Sequence, residues 1–383
     1  MTFKKIVGKI HLWLGLSSGI VVCFLGITGC ILAFEKEINE WTEPLAVAPQ
    51  QMAFALPSVL KTAAEKHLNG KPVLGIEYPG KDRSALAYYY DEKEYFLVAL
   101  NPYTAKVLKV KDMNKDFFRI VTIGHYYLWL PPAIGQPILA SATLIFLVML
   151  ISGIILWWPK NKAARKQRLK VKFNAKWRRV NYDLHNVLGF YITWVMIFIA
   201  ITGLVMGFQW VAKSVYWATS GGKTLPVHAD PVSDTTKANT VAYNPADKIW
   251  QQLYTQVPAG AGASIYFATT KSSPIEFFIN HRPGTYYKQD AFHFDQYTLK
   301  ELPATGSFAG RYKDASVADK IARMNYDIHV GAIGGLPTKI LAFFGSLIAA
   351  SLPVTGFLIW RGRKKKKSAK PIVVSAKANP VSI

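Results

Sequence analysis

Four long segments without any Lys, Arg, Asp or Glu constrain the fold of this chain more than any other feature. They are residues 11–34, 120–159, 184–212 and 340–360. Each is at least about 20 residues long, enough for a helix to cross a hydrocarbon core roughly 30 Å thick. Because a backbone in lipid must satisfy its own hydrogen bonds, we expect four transmembrane helices. Core helices of a soluble enzyme are the alternative, but four of this length rarely all lack charge.

The distribution of basic residues predicts how these helices are oriented. The net charge is +23, and three short segments contribute most of it: the N-terminus, residues 160–183 and the residues after 360. Together they hold 21 of the 46 Lys and Arg residues and one of the 23 acidic residues. This is the positive-inside pattern, which places both termini in the cytoplasm. Attraction to anionic lipid accounts for the basic clusters, so we expect membrane lipid, and no nucleic acid, as a partner.

The fold class predicted from these patterns is a mainly α membrane protein with two outer domains. Each outer segment contains a probable helix (residues 56–68 and 246–255), strand-like residues and a polar Tyr-Thr turn, so we expect two small α+β domains. The predicted segments are an N-terminus (1–9), TM1 (10–34), outer domain 1 (35–131), TM2 (132–158), a basic cytoplasmic loop (159–183), TM3 (184–210), outer domain 2 (211–337), TM4 (338–360) and a basic tail (361–383).

The second half of the chain repeats the first. At an offset of 174 residues, the His11-x-x-x-Gly15 pattern matches His185-x-x-x-Gly189, and the Thr-Gly pair at 28–29 matches the pair at 202–203. The turn segments Asn-Pro-Tyr-Thr at 101–104 and Asp-Gln-Tyr-Thr at 295–298 also correspond. Because both halves begin on the cytoplasmic side, we expect a parallel repeat about an axis along the membrane normal.

Four of the eight histidines recur at the start of a span, each six residues after a basic residue. A neutral imidazole is a common ligand of haem iron. Since successive spans alternate in direction, two histidines fall on each side, which predicts two b-type haems with two histidines each. Without a C-x-x-C-H motif the haems are non-covalent. The basic and histidine residues are Lys5 with His11, Arg119 with His125, Arg179 with His185, and Arg323 with His329.

Each basic residue lies about 9 Å along a helix axis from its histidine, where it can pair with a haem propionate. Ordinary anchoring at the membrane interface is the alternative. The two ends of the first span are about 35 Å apart, which would leave the haems far from each other. Zinc binding is less consistent with ligands split between two sides, and ion transport with spans that lack charge. The other histidines (His67, His228, His281 and His293) are predicted to be surface residues.

The chain resembles PepSY-associated transmembrane proteins over nearly its whole length. The resemblance rests on the four spans, the H-x-x-x-G and T-G pairs, the Tyr-Thr turns, and a final T-G-x-x-x-W before a basic tail. Ser152-Gly153 departs slightly from the T-G pattern. The resemblance implies a multi-pass protein of the bacterial inner membrane with two periplasmic PepSY-like domains. It also implies that His11, His125, His185 and His329 are haem ligands, as in the family's ferric-siderophore reductases.

The leading hypothesis is therefore an oxidoreductase with two bis-histidine haems that passes electrons across the membrane to a ferric siderophore or another ferric chelate. No G-x-G-x-x-G fingerprint for a nicotinamide or flavin is present, so the expected donor is a quinol or a separate cytoplasmic-side reductase. Two alternatives stay open. One is a membrane-anchored PepSY binding or peptidase-inhibitor module. The other is a quinol-linked cytochrome b with a different acceptor.

Overall fold

The computed structural model describes residues 2–43, 45–159, 161–238 and 244–368, with side chains up to residue 363 in the last range. Most of the predicted basic tail lies outside the described residues, as does Lys160 of the basic loop. In chain order the helices are α1 (Phe3–Ala33), α2 (Glu35–Thr42), α3 (Pro57–His67), α4 (Phe117–Tyr127), α5 (Pro132–Trp157), α6 (Lys162–Arg168), α7 (Trp177–Gly207), α8 (Gln209–Thr219), α9 (Pro245–Leu253), α10 (Val317–His329) and α11 (Leu336–Ser368).

Four of these helices are long and apolar enough to cross a membrane, namely α1, α5, α7 and the 336–363 part of α11. The chain is thus a multi-pass membrane protein. Helices α1 and α7 each begin seven residues before the predicted spans, because the basic residues ahead of each span extend the helix into the interface. Helix α1 contacts α5 and α11, and α7 contacts the same two helices, so α1 and α7 face each other diagonally in a four-helix bundle.

Close packing of α1 against α11 depends on a glycine. A Cβ at Gly26 would lie 2.7 Å from the carbonyl oxygen of Ser346 and 2.8 Å from the Cβ of Ala350. Small residues of this kind let helix backbones approach where lipid provides no hydrophobic drive for association. Gly26 therefore sets the distance between these two helices.

The part of the chain outside the bundle forms one sheet, whereas the sequence predicted two separate domains. The eight strands are antiparallel in the order β4-β3-β2-β1-β5-β6-β7-β8. Strand β1 of the first half pairs with β5 of the second. Alone, each would be an edge strand with unpaired backbone groups, so joining them removes two exposed edges. The strands are β1 (Gly75–Tyr78), β2 (Ala85–Tyr90), β3 (Tyr95–Leu100), β4 (Val107–Asp112), β5 (Gly262–Tyr266), β6 (Ile275–Asn280), β7 (Gln289–Phe294) and β8 (Glu301–Leu302).

One hydrophobic core covers one face of this sheet. Helices α3 and α9 supply Leu60 and Ile249, which pack with Ile76, Ile265 and Phe277 from the strands, all fully buried. Because side chains alternate along a strand, the intervening residues line the opposite face. That second face, called here the inner face, includes Glu77 and Tyr88 of the first half and Glu276 and His293 of the second.

The predicted polar turns are present in both halves of the sheet. The Oδ1 atom of Asn101 accepts hydrogen bonds from the amides of Tyr103 and Thr104. Asp295 accepts from the amides of Tyr297 and Thr298 in the same way. The residue four positions after each, Ala105 or Leu299, has a left-handed φ of 58° or 57°. The shared backbone geometry makes β3 and β7 equivalent strands.

Histidines 125 and 329 do not begin spanning helices, contrary to the sequence prediction. His125 lies in the last turn of α4, and His329 ends α10. Leu128 and Trp129 both have φ of 56°, and Pro131 cannot donate a backbone hydrogen bond, so the chain breaks before α5. Gly331 and Gly335, with φ of 75° and 69°, produce the equivalent break before α11. These two histidines are held by short helices that lie between the sheet and the bundle.

Candidate functional site

The four recurring histidines lie in two pairs. The rings of His125 and His329 have centroids 6.3 Å apart and planes inclined by 58°. His11 on α1 and His185 on α7 project from the diagonal helices and interact electrostatically. The members of each pair come from different halves of the chain, so each pair bridges the two repeats.

Each histidine ring is fixed by a hydroxyl from the other spanning helix of the same half. In every case the ring Nδ1 atom contacts the Ser or Thr that precedes a glycine. The four pairs, with their N–O distances, are His11 and Ser152 (2.8 Å), His125 and Thr28 (2.7 Å), His185 and Thr355 (2.9 Å), and His329 and Thr202 (3.1 Å).

The hydroxyl contacts determine which ring nitrogen carries the proton. The Thr28 hydroxyl donates its only hydrogen to a carbonyl in the preceding turn of α1. The hydroxyls of Ser152, Thr202 and Thr355 do likewise in their own helices. Each hydroxyl must then accept from the Nδ1–H of its histidine, which leaves the Nε2 lone pair free. This is the tautomer that binds metals through Nε2, with Nδ1 held by an outer partner.

The histidines on the sheet side are neutral as well as oriented. Burial lowers the pKa of His125 to about 3, and the nearby His329 lowers it further. Burial also lowers the pKa of His329. The Nδ1–H of His329 has a second acceptor, the Ile199 carbonyl oxygen at 3.0 Å. Both rings therefore present an uncharged nitrogen, as metal coordination requires.

The glycines of the Ser-Gly and Thr-Gly pairs make room for these rings. A Cβ at Gly203 would lie 3.2 Å from Cε1 of His329, and one at Gly356 would lie 3.2 Å from Cε1 of His185. In the first half, Gly153 and Gly29 face Cε1 of the corresponding histidines at 3.7 and 3.9 Å. The repeated dipeptide thus supplies a hydrogen-bond acceptor and a space for the ring.

Two asparagines strengthen the second half. Asn181, four residues before His185, donates from Nδ2 to the Thr355 carbonyl oxygen at 3.1 Å. Asn325, four residues before His329, makes the same contact with the Thr202 carbonyl oxygen at 3.1 Å. The buried Oδ1 of Asn181 has no hydrogen-bond partner among the described residues.

The basic residue six positions before each histidine does not have one common role. Arg323 is only 1% exposed, and its guanidinium donates to the carbonyl oxygens of Gln289, Ser307 and Ala309. These bonds tie α10 to the sheet and leave no free donor pair for a propionate, so that prediction is wrong for Arg323. Arg179 forms an ion pair with Asp183 one turn along α7, at 2.8 Å.

The two remaining basic residues are exposed. Arg119 lies over the Tyr95 ring of β3, with its guanidinium carbon 5.4 Å from the ring centroid. Lys5 lies in the first turns of α1, on its exposed surface. Both are free of carboxylate partners in the part of the chain that the structure describes, so both can still meet an anionic group.

The two histidine pairs are closer than the full length of a span. His11 and the hydroxyl that fixes His125 are both on α1, 17 residues apart, and α7 has the same spacing between His185 and Thr202. At 1.5 Å per residue the two levels are about 26 Å apart along the bundle, not the about 35 Å between helix ends.

A group of tyrosines lies between the sheet-side pair and the sheet. The Tyr286 and Tyr326 rings have centroids 5.1 Å apart, and Tyr126 follows His125 on α4. Burial raises the pKa of Tyr286, and the charges of Glu77 and Glu35 raise it further. These side chains, from the inner face, the bundle and α10, share one surface above the histidines.

The donor set fits a bis-histidine haem. Two imidazoles that bind one metal ion from opposite sides, through bonds of about 2 Å, have centroids on the order of 6 Å apart. The observed 6.3 Å between His125 and His329 agrees with this. Apolar helices surround both pairs, as a macrocycle held between spans requires.

Two kinds of functional residue escaped the sequence interpretation. The Ser and Thr of the four dipeptides were noticed as repeats but not as partners of histidine, although their recurrence was a usable signal. His293, predicted to be a surface residue, is only 5% exposed. Its burial follows from strand pairing, which the sequence alone did not determine.

Comparison with known protein families agrees with this architecture. The family described as the PepSY-associated TM region matches residues 9–363. The match covers all four spans and the whole sheet. No curated protein matches the chain. With nearly its full length matched, the chain belongs to the family of PepSY-associated transmembrane proteins.

Proposed function

We propose that this protein is a membrane reductase that holds two non-covalent b-type haems and reduces ferric iron, as a ferric siderophore or another ferric chelate. The observation that carries the proposal is the pairing of His125 and His329 at 6.3 Å, with each Nδ1 bound and each Nε2 free. A bound haem supplies one-electron transfer. The family membership is consistent with this function.

The residues of the chain have separate tasks in this scheme. His125 and His329 hold the sheet-side haem, and His11 and His185 hold the other. The Ser and Thr hydroxyls fix the ring tautomers, which raises the basicity of the ligands. The uncharged spans exclude water from both sites. Arg119 and Lys5 are the basic residues available to haem propionates.

The polarity of the protein follows from its charge. We propose that the N-terminus, the basic loop and the tail lie in the cytoplasm of a bacterium and that the sheet lies in the periplasm. The His11–His185 pair would then accept electrons from a quinol or a separate donor at the cytoplasmic side. The His125–His329 pair would be nearest to the acceptor.

The ferric chelate would dock on the tyrosine surface between the bundle and the sheet. Tyr286 is 60% exposed, and Tyr126 and Tyr326 are each more than one-third exposed. Aromatic faces and hydroxyls suit a large, mixed polar and apolar ligand. The Arg119 guanidinium over Tyr95 adds a positive charge for an anionic chelate.

The proposal is tested on purified protein in lipid vesicles. Dithionite reduction should shift a split Soret band, and adding a ferric siderophore should reoxidise the protein while a chromogenic chelator reports Fe²⁺. The variant with both His125→Ala and His329→Ala should lose this activity, whereas His67→Ala, at an exposed position on α3, should retain it. Protein without a haem spectrum, or a double variant with full activity, would refute the proposal and favour a membrane-anchored binding module.

A further inference from the structure

A second cluster of possible metal ligands lies on the inner face of the sheet, away from the four haem-site histidines. Asp230, Glu276 and His293 offer one ligand atom each, and these atoms all lie within 4.8 Å of one another. Glu276 on β6 and His293 on β7 are directly paired across the two strands. Asp230 comes from the loop before α9, so three distant segments meet at one point.

His293 is buried without a partner. Its side chain is 5% exposed and contacts the Phe278 ring edge, with centroids 6.4 Å apart. Neither its ring nitrogens nor the Glu276 carboxylate make a hydrogen bond within the part of the chain that the structure describes. A buried polar side chain normally has such a partner, so an imidazole left open beside two carboxylates points to a ligand.

The carboxylates face each other across this point. Burial raises the pKa of Glu276, and the charge of Asp230 raises it further. Two carboxylates in one partly buried place repel each other unless a cation lies between them. A divalent ion removes that repulsion.

His228 supplies a fourth nitrogen next to the cluster. Its Nδ1 lies 3.3 Å from the Thr305 carbonyl oxygen, and its Nε2 lies 3.0 Å from Oδ1 of Asp230. A ring nitrogen bound to a backbone carbonyl is the usual support for a metal-binding histidine. Ala229 pairs with Thr305 in an isolated bridge, so residues 228 and 230 point to the same side.

The first half of the sheet has no such cluster. The turns at Asn101 and Asp295 make β3 equivalent to β7, so the pair of Glu276 and His293 corresponds to Leu86 and Ala99. Both of the latter are apolar. The cluster is therefore a property of the second half alone and not a consequence of the repeated fold.

We propose that Asp230, Glu276 and His293, with His228, form a binding site for a divalent first-row transition-metal ion on the extramembrane sheet. Mixed imidazole and carboxylate ligands suit Zn²⁺ or Fe²⁺, whereas Mg²⁺ and Ca²⁺ prefer oxygen alone. The site stands apart from the proposed reductase activity and does not depend on it.

The test uses the full-length protein in detergent, with Zn²⁺ as the probe. After equilibration with Zn²⁺ and gel filtration, elemental analysis should show one zinc more per chain than the Glu276→Gln and His293→Gln variants contain. Each variant should weaken Zn²⁺ binding by at least about tenfold. The control is His281→Gln, which removes a histidine that already pairs with Asp290 at 2.8 Å and should bind zinc like the unmodified protein.

Three results would overturn the proposal. The first is unmodified protein that binds no more zinc than the two site variants. The second is an equal loss of zinc in His281→Gln. The third is displacement of the zinc by millimolar Mg²⁺, which would refute the preference for a transition metal. Equal melting temperatures of the zinc-free variants and the zinc-free unmodified protein show that a loss of binding is not a loss of fold. Haem content is not a readout here, so failure of this proposal is distinguishable from failure of the reductase proposal.

Discussion

Replacing Thr28 or Thr202 with valine separates two histidines that otherwise occupy equivalent positions. The Nδ1–H of His125 has Thr28 as its one acceptor among the described residues, at 2.7 Å. The Nδ1–H of His329 has both Thr202 and the Ile199 carbonyl oxygen, at 3.1 and 3.0 Å. Valine removes the hydroxyl from either site with little change in shape, so only His125 is left with an unsatisfied donor.

The size of the difference follows from the hydrogen bonds. An unsatisfied buried donor costs about 1–3 kcal/mol, so Thr28→Val should weaken haem binding roughly 5- to 150-fold. Thr202→Val leaves the carbonyl in place and removes at most about 1 kcal/mol, less than roughly fivefold in affinity. The helix that carries each threonine loses the same intrahelical bond in both variants.

Haem transfer to an excess of apomyoglobin measures this effect. The Soret band of each detergent-solubilised variant should decay, and Thr28→Val should lose haem faster than Thr202→Val. The control is Thr62→Val on α3, whose hydroxyl bonds only to the Ser58 carbonyl in its own helix. Faster loss from Thr202→Val, or equal loss from both variants, would refute the assignment of hydroxyl acceptors to ring tautomers.

Three further predictions concern stability, measured as melting temperature in detergent. Gly26→Ala should destabilise the bundle by about 1–3 kcal/mol, because its Cβ would overlap α11, whereas Gly362→Ala, with open space around it, should not. Equal effects would contradict the packing argument. Arg323→Lys should cost about 1–3 kcal/mol because one ammonium cannot reach three carbonyls in the geometry of the guanidinium, and Arg179→Lys at the surface should cost less than about 0.5 kcal/mol. A tolerated Arg323→Lys would show that these bonds are unimportant. The Tyr89 hydroxyl lowers the pKa of Asp91 to about 2, so its stabilising effect, measured against Asp91→Asn, should be complete above about pH 4 and lost as the pH falls through about 2. An effect that grows on acidification would contradict this sign.

The sequence predicted the spanning helices because their signal is local. An uncharged run of more than 20 residues has few other structures available, and the positions of α5 and the start of α11 agree closely with those expected. The starts of α1 and α7 were less predictable, because charged residues such as Lys4 and Arg179 are compatible with helix on either side of the interface.

The single sheet could not be predicted in the same way. Pairing of β1 with β5 joins Ile76 to Ile265 across almost 190 residues of chain, and neither strand encodes its partner. Register decides which residues meet, so Glu276 and His293 became neighbours only once β6 and β7 were aligned. The buried role of Arg323 depends on the same sheet, since its three acceptors are carbonyls of β7 and the loop that follows β8.

The histidine site lies between these two cases. The recurrence of His11, His125, His185 and His329 was visible in the sequence, and so were the Ser-Gly and Thr-Gly pairs. Their connection was not visible, because each hydroxyl reaches its histidine from another helix, 97 to 170 residues away along the chain. A repeated motif in this chain marks both partners of a contact without indicating that they meet.

The central claim is that the two histidine pairs each hold one haem. The most direct measurement is the haem content of the purified protein by pyridine haemochrome, compared with its protein content. The account predicts two non-covalent b-type haems per chain, and about one in His125→Ala or His329→Ala. Protein that binds no haem, or either variant with two haems, would contradict it.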